Sequence, residues 1–253
     1  MVESLVARAY DAIAAEYDAQ LGKNPVAVYM RSELHAHLAR TFHAGARVLD
    51  FTTGTGSDAL FLAERGIQVT ATDISPRMIS ELAEAAAQRD LPLEVRVLPA
   101  KRIGELVGQY DGALSTFAGL NTIEDTLRLG RDLAARVKPR GRVIIHALNA
   151  FCLWQALAHR GKRDGNLRVG GEIIPHRLYN PFQLWSAAFA PHFEVRQIYA
   201  LSVIAAPAVV KRMPRCAPLI FRLDRTVGKL FPALGDFFVM DLERSDERGR
   251  KAH

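Results

Sequence analysis

Two glycines, Gly54 and Gly56, lie between Asp50 and Asp58, and Asp73 follows about twenty residues after the first of them. Glycines close together at the end of an apolar segment let a ligand approach the backbone, and acids beside them hold hydroxyl groups or a cation. The run "GTGSDA" at 54–59 satisfies the Gly-x-Gly-x-x-Gly/Ala pattern of dinucleotide binding, with Asp73 where a ribose-binding acid belongs. That reading implies an NAD(P)-dependent oxidoreductase. Asp50 and Asp58, however, would repel a pyrophosphate, so a cationic or zwitterionic ligand suits the turn better. A bare Gly-x-Gly also serves simply as a tight strand-to-helix turn.

Other residues offer acid–base chemistry. His146 and Asn149 fall at the end of a later apolar run, and His176 and Tyr179 in a presumed hairpin. His146 and Tyr179 are the candidates for a catalytic base, against the alternative that each satisfies a structural hydrogen bond. Tyr10 and Tyr17 are seven apart and share a helix face. Met78 and Phe117 are apolar residues placed to serve either the core or a cleft wall. Cys152 and Cys216 stand 64 positions apart, with no CxxC and no histidine cluster, so no disulfide framework and no metal site is expected.

These residues need elements to position them. Short Val/Ile/Leu-rich runs at 47–51, 68–72, 93–98, 112–116 and 142–147 read as strands buried on both faces. Helical spacing at 57–65, 76–89 and 124–137 separates them, with Ser75-Pro76 as an N-cap and first-turn pair. Strands alternating with helices predict βαβ units and a doubly wound, mostly parallel sheet. Beyond 149 the sequence predicts a helix and basic turn over 151–165, a hairpin over 166–179, a helix to 189, a strand over 192–203 and an apolar final run at 237–242. The proline-rich segment between those last two is predicted to be a helical insert.

The composition is that of a globular α/β chain: 253 residues, 49% hydrophobic and 24% charged. The formal charge of +6 is spread along the chain and not gathered in one block, so nucleic acid is not an expected partner. The N-terminus lacks a basic region followed by an apolar one, and no run approaches ~18 uninterrupted apolar residues. A cytoplasmic protein without a membrane span is expected.

Five segments in order carry a family resemblance. "VLDFTTGTG" at 48–56 resembles motif I of the class I S-adenosylmethionine-dependent methyltransferases, and "VTATDIS" at 69–75 is similar to motif II. "YDGALSTFAGLN" at 110–121 and "LAARVKPRGRVII" at 133–145 resemble the fourth- and fifth-strand segments, and "YDAIAAEYD" at 10–18 the Tyr-Asp repeat of an N-terminal helix that closes over the donor. The resemblance implies a Rossmann-like, seven-stranded sheet with an antiparallel last strand and a helical insert before it. It implies S-adenosylmethionine as methyl donor, contacted by Tyr17, Asp50, Thr52, Gly54, Gly56, Asp73, Ile74, Met78, Ala100 and Phe117. Two positions depart from the pattern: Thr52 replaces the first motif-I glycine, and Ala100-Lys101 stands where an adenine-binding acid is common.

The expected organisation is one domain: a helical cap at 1–40, a donor-binding core at 41–149, acceptor-side elements and strand six at 150–203, a helical lid at 204–235, the last strand at 236–243 and a disordered tail at 244–253. The expected activity is methyl transfer by in-line displacement to a small, partly apolar molecule, with oxygen favoured as nucleophile. The alternatives are the oxidoreductase and a non-catalytic binding protein on the same fold. A basic amphipathic helix at 218–231 could meet a membrane surface or simply pack on its own domain.

Overall fold

The computed structural model describes residues 2–154, 156 and 165–246. Two helices, α1 (Val2–Gly22) and α2 (Pro25–Thr41), precede the sheet; Asn24 caps α2 by accepting from the Val26 and Ala27 N–H groups. Strand β1 (Arg47–Asp50) leads to α3 (Ser57–Ala63), β2 (Gln68–Asp73) to α4 (Pro76–Gln88), and β3 (Leu93–Val97) through a 3-10 turn to β4 (Tyr110–Ser115). Then come α5 (Thr126–Arg136), β5 (Val137–Leu148), the hairpin β6 (Asn166–Val169) and β7 (Glu172–Pro175), α6 (Pro181–Leu184) with a π-helical extension, and β8 (Phe193–Leu201). The connection to β9 (Phe237–Arg244) contains α7 (Pro207–Arg212) and α8 (Ala217–Leu230).

The sheet order is β3-β2-β1-β4-β5-β9-β8, with β1 to β5 parallel and β9 antiparallel to both neighbours. Alternation along the strands sorts residues onto its two sides. Leu49, Phe51, Val143, Ile145, Phe238, Met240 and Leu242 pack towards α5 and α6, whereas Val48, Ile144 and Val239 pack towards α2, α3 and α4. The carboxyl ends of β1, β2 and β4 therefore meet along one edge, where an open α/β sheet presents ligands.

Several boundaries differ from the sequence expectation. The helix predicted over 124–137 begins at Thr126, because Asp125 accepts from Arg128 N–H as its N-cap, and it ends at Arg136. Val137 already pairs with Tyr110, and the register shifts before Arg142 pairs with Gly112. The last strand extends to Arg244, inside the segment expected to be a tail, and Ser245 N–H donates to the His192 carbonyl. The rest of that tail, 247–253, and most of the predicted 151–165 helix and basic turn lie outside the described residues.

The insert is helical as expected, and its inner face packs on α2 and β8. Phe221 stacks on Tyr29 of α2 with ring centroids 4.4 Å apart, Gly228 packs against the Ala200 backbone of β8, and Ala205, Val210, Ala217 and Ile220 join the core on that side. Asp224, fully buried, accepts from Tyr29 Oη and from the Ser202, Ile204 and Ala205 N–H groups. One face of α8, with Ile220, Phe221 and Gly228, thus covers α2 and β8.

Candidate functional site

The turn after β1 is ordered by the acid before it. Asp50 is buried, and its Oδ2 accepts from Thr53 Oγ1 at 2.9 Å; Oδ1 has no hydrogen-bond partner among the described residues. Burial, followed by the charge of Asp58, raises its pKa well above the usual carboxylate range. Gly54 follows at φ +56°, and a Cβ there would meet nothing within 4 Å, so this stretch of backbone faces open space. Its N–H donates to Asp73 Oδ2 at 2.9 Å, while Asp73 Oδ1 accepts from Ser75 N–H, also at 2.9 Å. Burial raises the Asp73 pKa as well, against the pull of those backbone donors.

Gly56 does something different. It is the N-cap of α3 at φ +80°, and a Cβ there would sit 2.1 Å from the Leu82 side chain of α4. It is required for close helix packing and is not among the residues that line the cleft, although Thr55 and Ser57 on either side of it are. Thr52 has no left-handed backbone, and its hydroxyl lies 2.6 Å from Ser115 Oγ. A Cβ on Gly119 would come within 2.2 Å of the Thr52 hydroxyl oxygen, so the side chain gained at 52 occupies space that Gly119 leaves vacant.

These turns line a cleft of about 450 Å³. Eight of the ten residues assigned to donor contact border it: Tyr17, Thr52, Gly54, Asp73, Ile74, Met78, Ala100 and Phe117. Asp50 and Gly56 are not among the lining residues. Helix α1 forms one wall and is fastened in place: Asp11 accepts from Ser75 Oγ and Arg77 N–H, Ser57 Oγ donates to Asp18, and Lys101 pairs with Glu3. Tyr10 and Tyr17 pack edge to face, and burial pushes the Tyr17 phenol up to about 12, leaving it a neutral hydrogen-bond donor.

The opposite wall contains groups that the sequence reading passed over. Arg31 of α2 reaches the cleft with its guanidinium carbon 4.2 Å from the Phe117 ring centroid, and donates to Asp58 Oδ1 at 3.3 Å. Asp58 also lies 2.8 Å from His35 Nε2 and accepts from Thr116 Oγ1 at 2.5 Å. Burial would raise its pKa, but the His35 contact and the Arg31 charge bring it down to about 2. Asp58 is therefore an internal counter-ion joining α2, α3 and the end of β4. Only the acids flanking the glycine turn were visible in sequence; the partner cation comes from 27 positions upstream, with no local motif to announce it.

Neither proposed base reaches the cleft. His146 is fully buried; Phe117 N–H donates to its Nδ1 at 3.2 Å and Ala118 N–H to its carbonyl at 3.2 Å. Phe117 and Ala118 are both left-handed, at φ +47° and +68°, so His146 clamps a strained turn that aims Phe117 at the cleft. Burial lowers its pKa to about 3, and a ring that accepts at Nδ1 while neutral carries its proton on Nε2. Tyr179 Oη donates to the Ile123 carbonyl at 3.4 Å, with its half-buried ring packed against the core. His176 Nδ1 lies 3.1 Å from the Ile174 carbonyl, and Asn149 donates to the Pro232 and Gly235 carbonyls. No histidine lines the cleft among the described residues, and none of their His, Cys, Asp and Glu groups forms a metal-binding cluster.

Residues 48–141 match the family model of a methyltransferase domain. The ubiquinone biosynthesis O-methyltransferase of Xanthomonas axonopodis pv. citri (strain 306) is 28% identical over 134 residues, 53% of this chain and 56% of that protein. The chain thus spans about half the length of the curated relatives it matches. Among solved structures, the 4+2 cyclase SpnF superposes with a TM-score of 0.66 at 17% identity over 95% of both chains. A protein of Galdieria sulphuraria described as a sarcosine dimethylglycine methyltransferase superposes with a TM-score of 0.59 at 15% identity over 87% of both. Such structural likenesses establish the fold. The antiparallel β9 and the methyltransferase match both speak against the oxidoreductase alternative.

Proposed function

We propose that this chain, whose residues 48–141 form a methyltransferase domain of the class I S-adenosylmethionine-dependent family, transfers a methyl group from S-adenosylmethionine to an oxygen of a small, partly apolar molecule. The observation that carries the reading is the pairing of open-faced Gly54 with Asp73 in one cleft. Each Asp73 oxygen already accepts one backbone N–H and retains a lone pair, so two neighbouring ribose hydroxyls fit it. Ile74, Met78, Pro99 and Ala100 supply an apolar slot for a flat base, without a carboxylate there. When bound, the donor supplies a methyl group made electrophilic by its sulfonium.

The chain's own residues then have two tasks. Alignment of nucleophile and methyl falls to the walls: Tyr10 and Tyr17 on α1, and Phe117 held from behind by His146. Water exclusion falls to α1, pinned over the cleft by Asp11, Asp18 and Glu3. Neither His146 nor Tyr179 serves as a base in this reading, because both are engaged away from the cleft. The pH dependence of kcat should therefore follow the ionisation of the acceptor and not an enzyme group near 6.5.

Calorimetry with S-adenosylhomocysteine is the first test: saturable binding is expected, and no binding would sink the reading. A panel of hydroxylated aromatic and aliphatic acceptors with radiolabelled donor then tests the transfer. A second reading, a protein using the fold without methyl transfer, is favoured by the likeness to a cyclase over 95% of both chains. It gains if bound donor is never consumed by any acceptor.

A further inference from the structure

Helix α8 has a face that the core does not use. Ala217, Ile220, Phe221, Asp224 and Gly228 turn inward. On the other side Leu219, Leu223 and Leu230 are 59%, 49% and 68% exposed, and Phe231 and Met213 continue the apolar surface beyond the helix ends. At 3.6 residues per turn the three leucines fall within about 40° of one another, forming a single stripe. Large aliphatic side chains grouped this way on a surface mark an interaction site more often than scattered ones do.

The charge around the stripe is one-sided. Lys211, Arg212, Arg215, Arg222, Arg225 and Lys229 are all exposed. Arg225 pairs with Glu33 of α2. The single acid between residues 205 and 235 is Asp224, and it is buried, engaged with Tyr29 and three backbone N–H groups. A partner must therefore accept aliphatic side chains and bring negative charge. A second copy docking through the same face would set two cationic surfaces against each other. Nucleic acid would supply phosphates, but its bases stack on aromatic platforms and gain little from leucines.

An anionic bilayer satisfies both demands, since leucines enter the acyl boundary while flanking cations meet lipid phosphates. No helix among the described residues is long and apolar enough to cross a membrane, so α8 would lie in the interfacial plane. We infer that the outer face of α7 and α8 is a peripheral docking surface for an anionic lipid bilayer, anchored by Leu219, Leu223 and Leu230 and steered by the surrounding lysines and arginines. Helix α2 lies between this face and the cleft: Tyr29 packs on α8 and Arg31 borders the cleft. Membrane contact would thus bear on the same helix that walls the site.

Vesicle flotation of the full chain tests the inference. The protein should float with phosphatidylcholine vesicles containing phosphatidylglycerol and not with phosphatidylcholine alone, and added salt should weaken the association. Arg222→Ala/Lys229→Ala should lower the partition coefficient ~25-fold, at ~5-fold per cation near the surface. Leu219→Glu/Leu223→Glu should abolish flotation while S-adenosylhomocysteine affinity and the thermal midpoint stay unchanged, both side chains being exposed. Equal partition onto neutral and anionic vesicles, or full flotation by the leucine variant, would overturn the inference. So would light scattering that finds the wild type dimeric and the leucine variant monomeric, because the stripe would then belong to a second copy. Flotation reads lipid alone, so its failure leaves the methyl-transfer reading intact.

Discussion

The turn after β1 and the connection between β8 and β9 are both built around a buried aspartate, and they put it to opposite uses. Asp50 and its neighbour Asp73 organise backbone that opens onto a cleft, with Asp50 Oδ1 left unpartnered among the described residues. Asp224 turns inward and is engaged by four donors, welding the insert to α2 and β8. Asp73 borders the cleft with acceptor capacity left for a ligand, whereas Asp224 is enclosed and belongs to the scaffold. The same contrast separates Gly54, whose missing Cβ would meet open space, from Gly56, whose missing Cβ lets Leu82 in.

The largest effect should come from the scaffold side. Asp224→Ala leaves three backbone N–H groups and a tyrosine hydroxyl unpaired in the core, and should cost ~3–5 kcal/mol of stability in chemical denaturation. If that variant instead keeps its stability and loses acceptor turnover alone, the insert is a lid after all.

Gly56→Val comes next: a β-branched side chain in a left-handed position against Leu82 should destabilise by ~2–4 kcal/mol. Gly54→Ala, facing open space, should lose only ~1 kcal/mol of stability from backbone strain while weakening S-adenosylhomocysteine binding. Matching thermal midpoints for the two variants would erase the distinction drawn between these glycines.

Asp73→Ala should weaken S-adenosylhomocysteine binding by roughly 1.5–3 kcal/mol in calorimetry, through loss of charge-assisted hydrogen bonds to ribose. An unchanged dissociation constant in a folded variant would reject the ribose role.

The last effect concerns pH and is felt only under acid conditions. The His146 pKa is lowered from 6.5 to about 3 in the folded state by burial. Between those values the unfolded chain binds the extra proton, so this residue's contribution to stability declines as the pH falls from about 6.5 towards 3. The stability advantage of wild type over His146→Phe should accordingly shrink on acidification. An advantage that is flat with pH would mean the imidazole is not held neutral in the fold.

The donor half was legible because its signals are local. An apolar run, an acid and two glycines within nine residues specify a strand, a turn and a helix start, and Ser75-Pro76 does the same for α4. The seven-stranded sheet and its antiparallel last strand followed from the family resemblance, and the structure has both; the strand order comes from the structure. His146 and Tyr179 were misjudged for one reason: sequence position at a strand end does not say which way a side chain points. His146 faces back into the Phe117 turn and Tyr179 packs against the core. Helical spacing in the insert likewise does not say which of its apolar residues meet the body of the protein; Ile220 and Phe221 do, and Leu219 and Leu223 do not.

What the sequence determined by itself, then, was the order of elements and the glycine-aspartate turns, because backbone conformation at a strand end depends on residues only a few positions apart. Tertiary structure decided the pairing of Arg31 with Asp58 across 27 positions, the exchange of bulk between Thr52 and Gly119 across 67, and the docking of Asp224 on Tyr29 across 195. Each depends on which side chains the packed sheet and helices bring within a few ångströms, and no spacing rule along the chain encodes that.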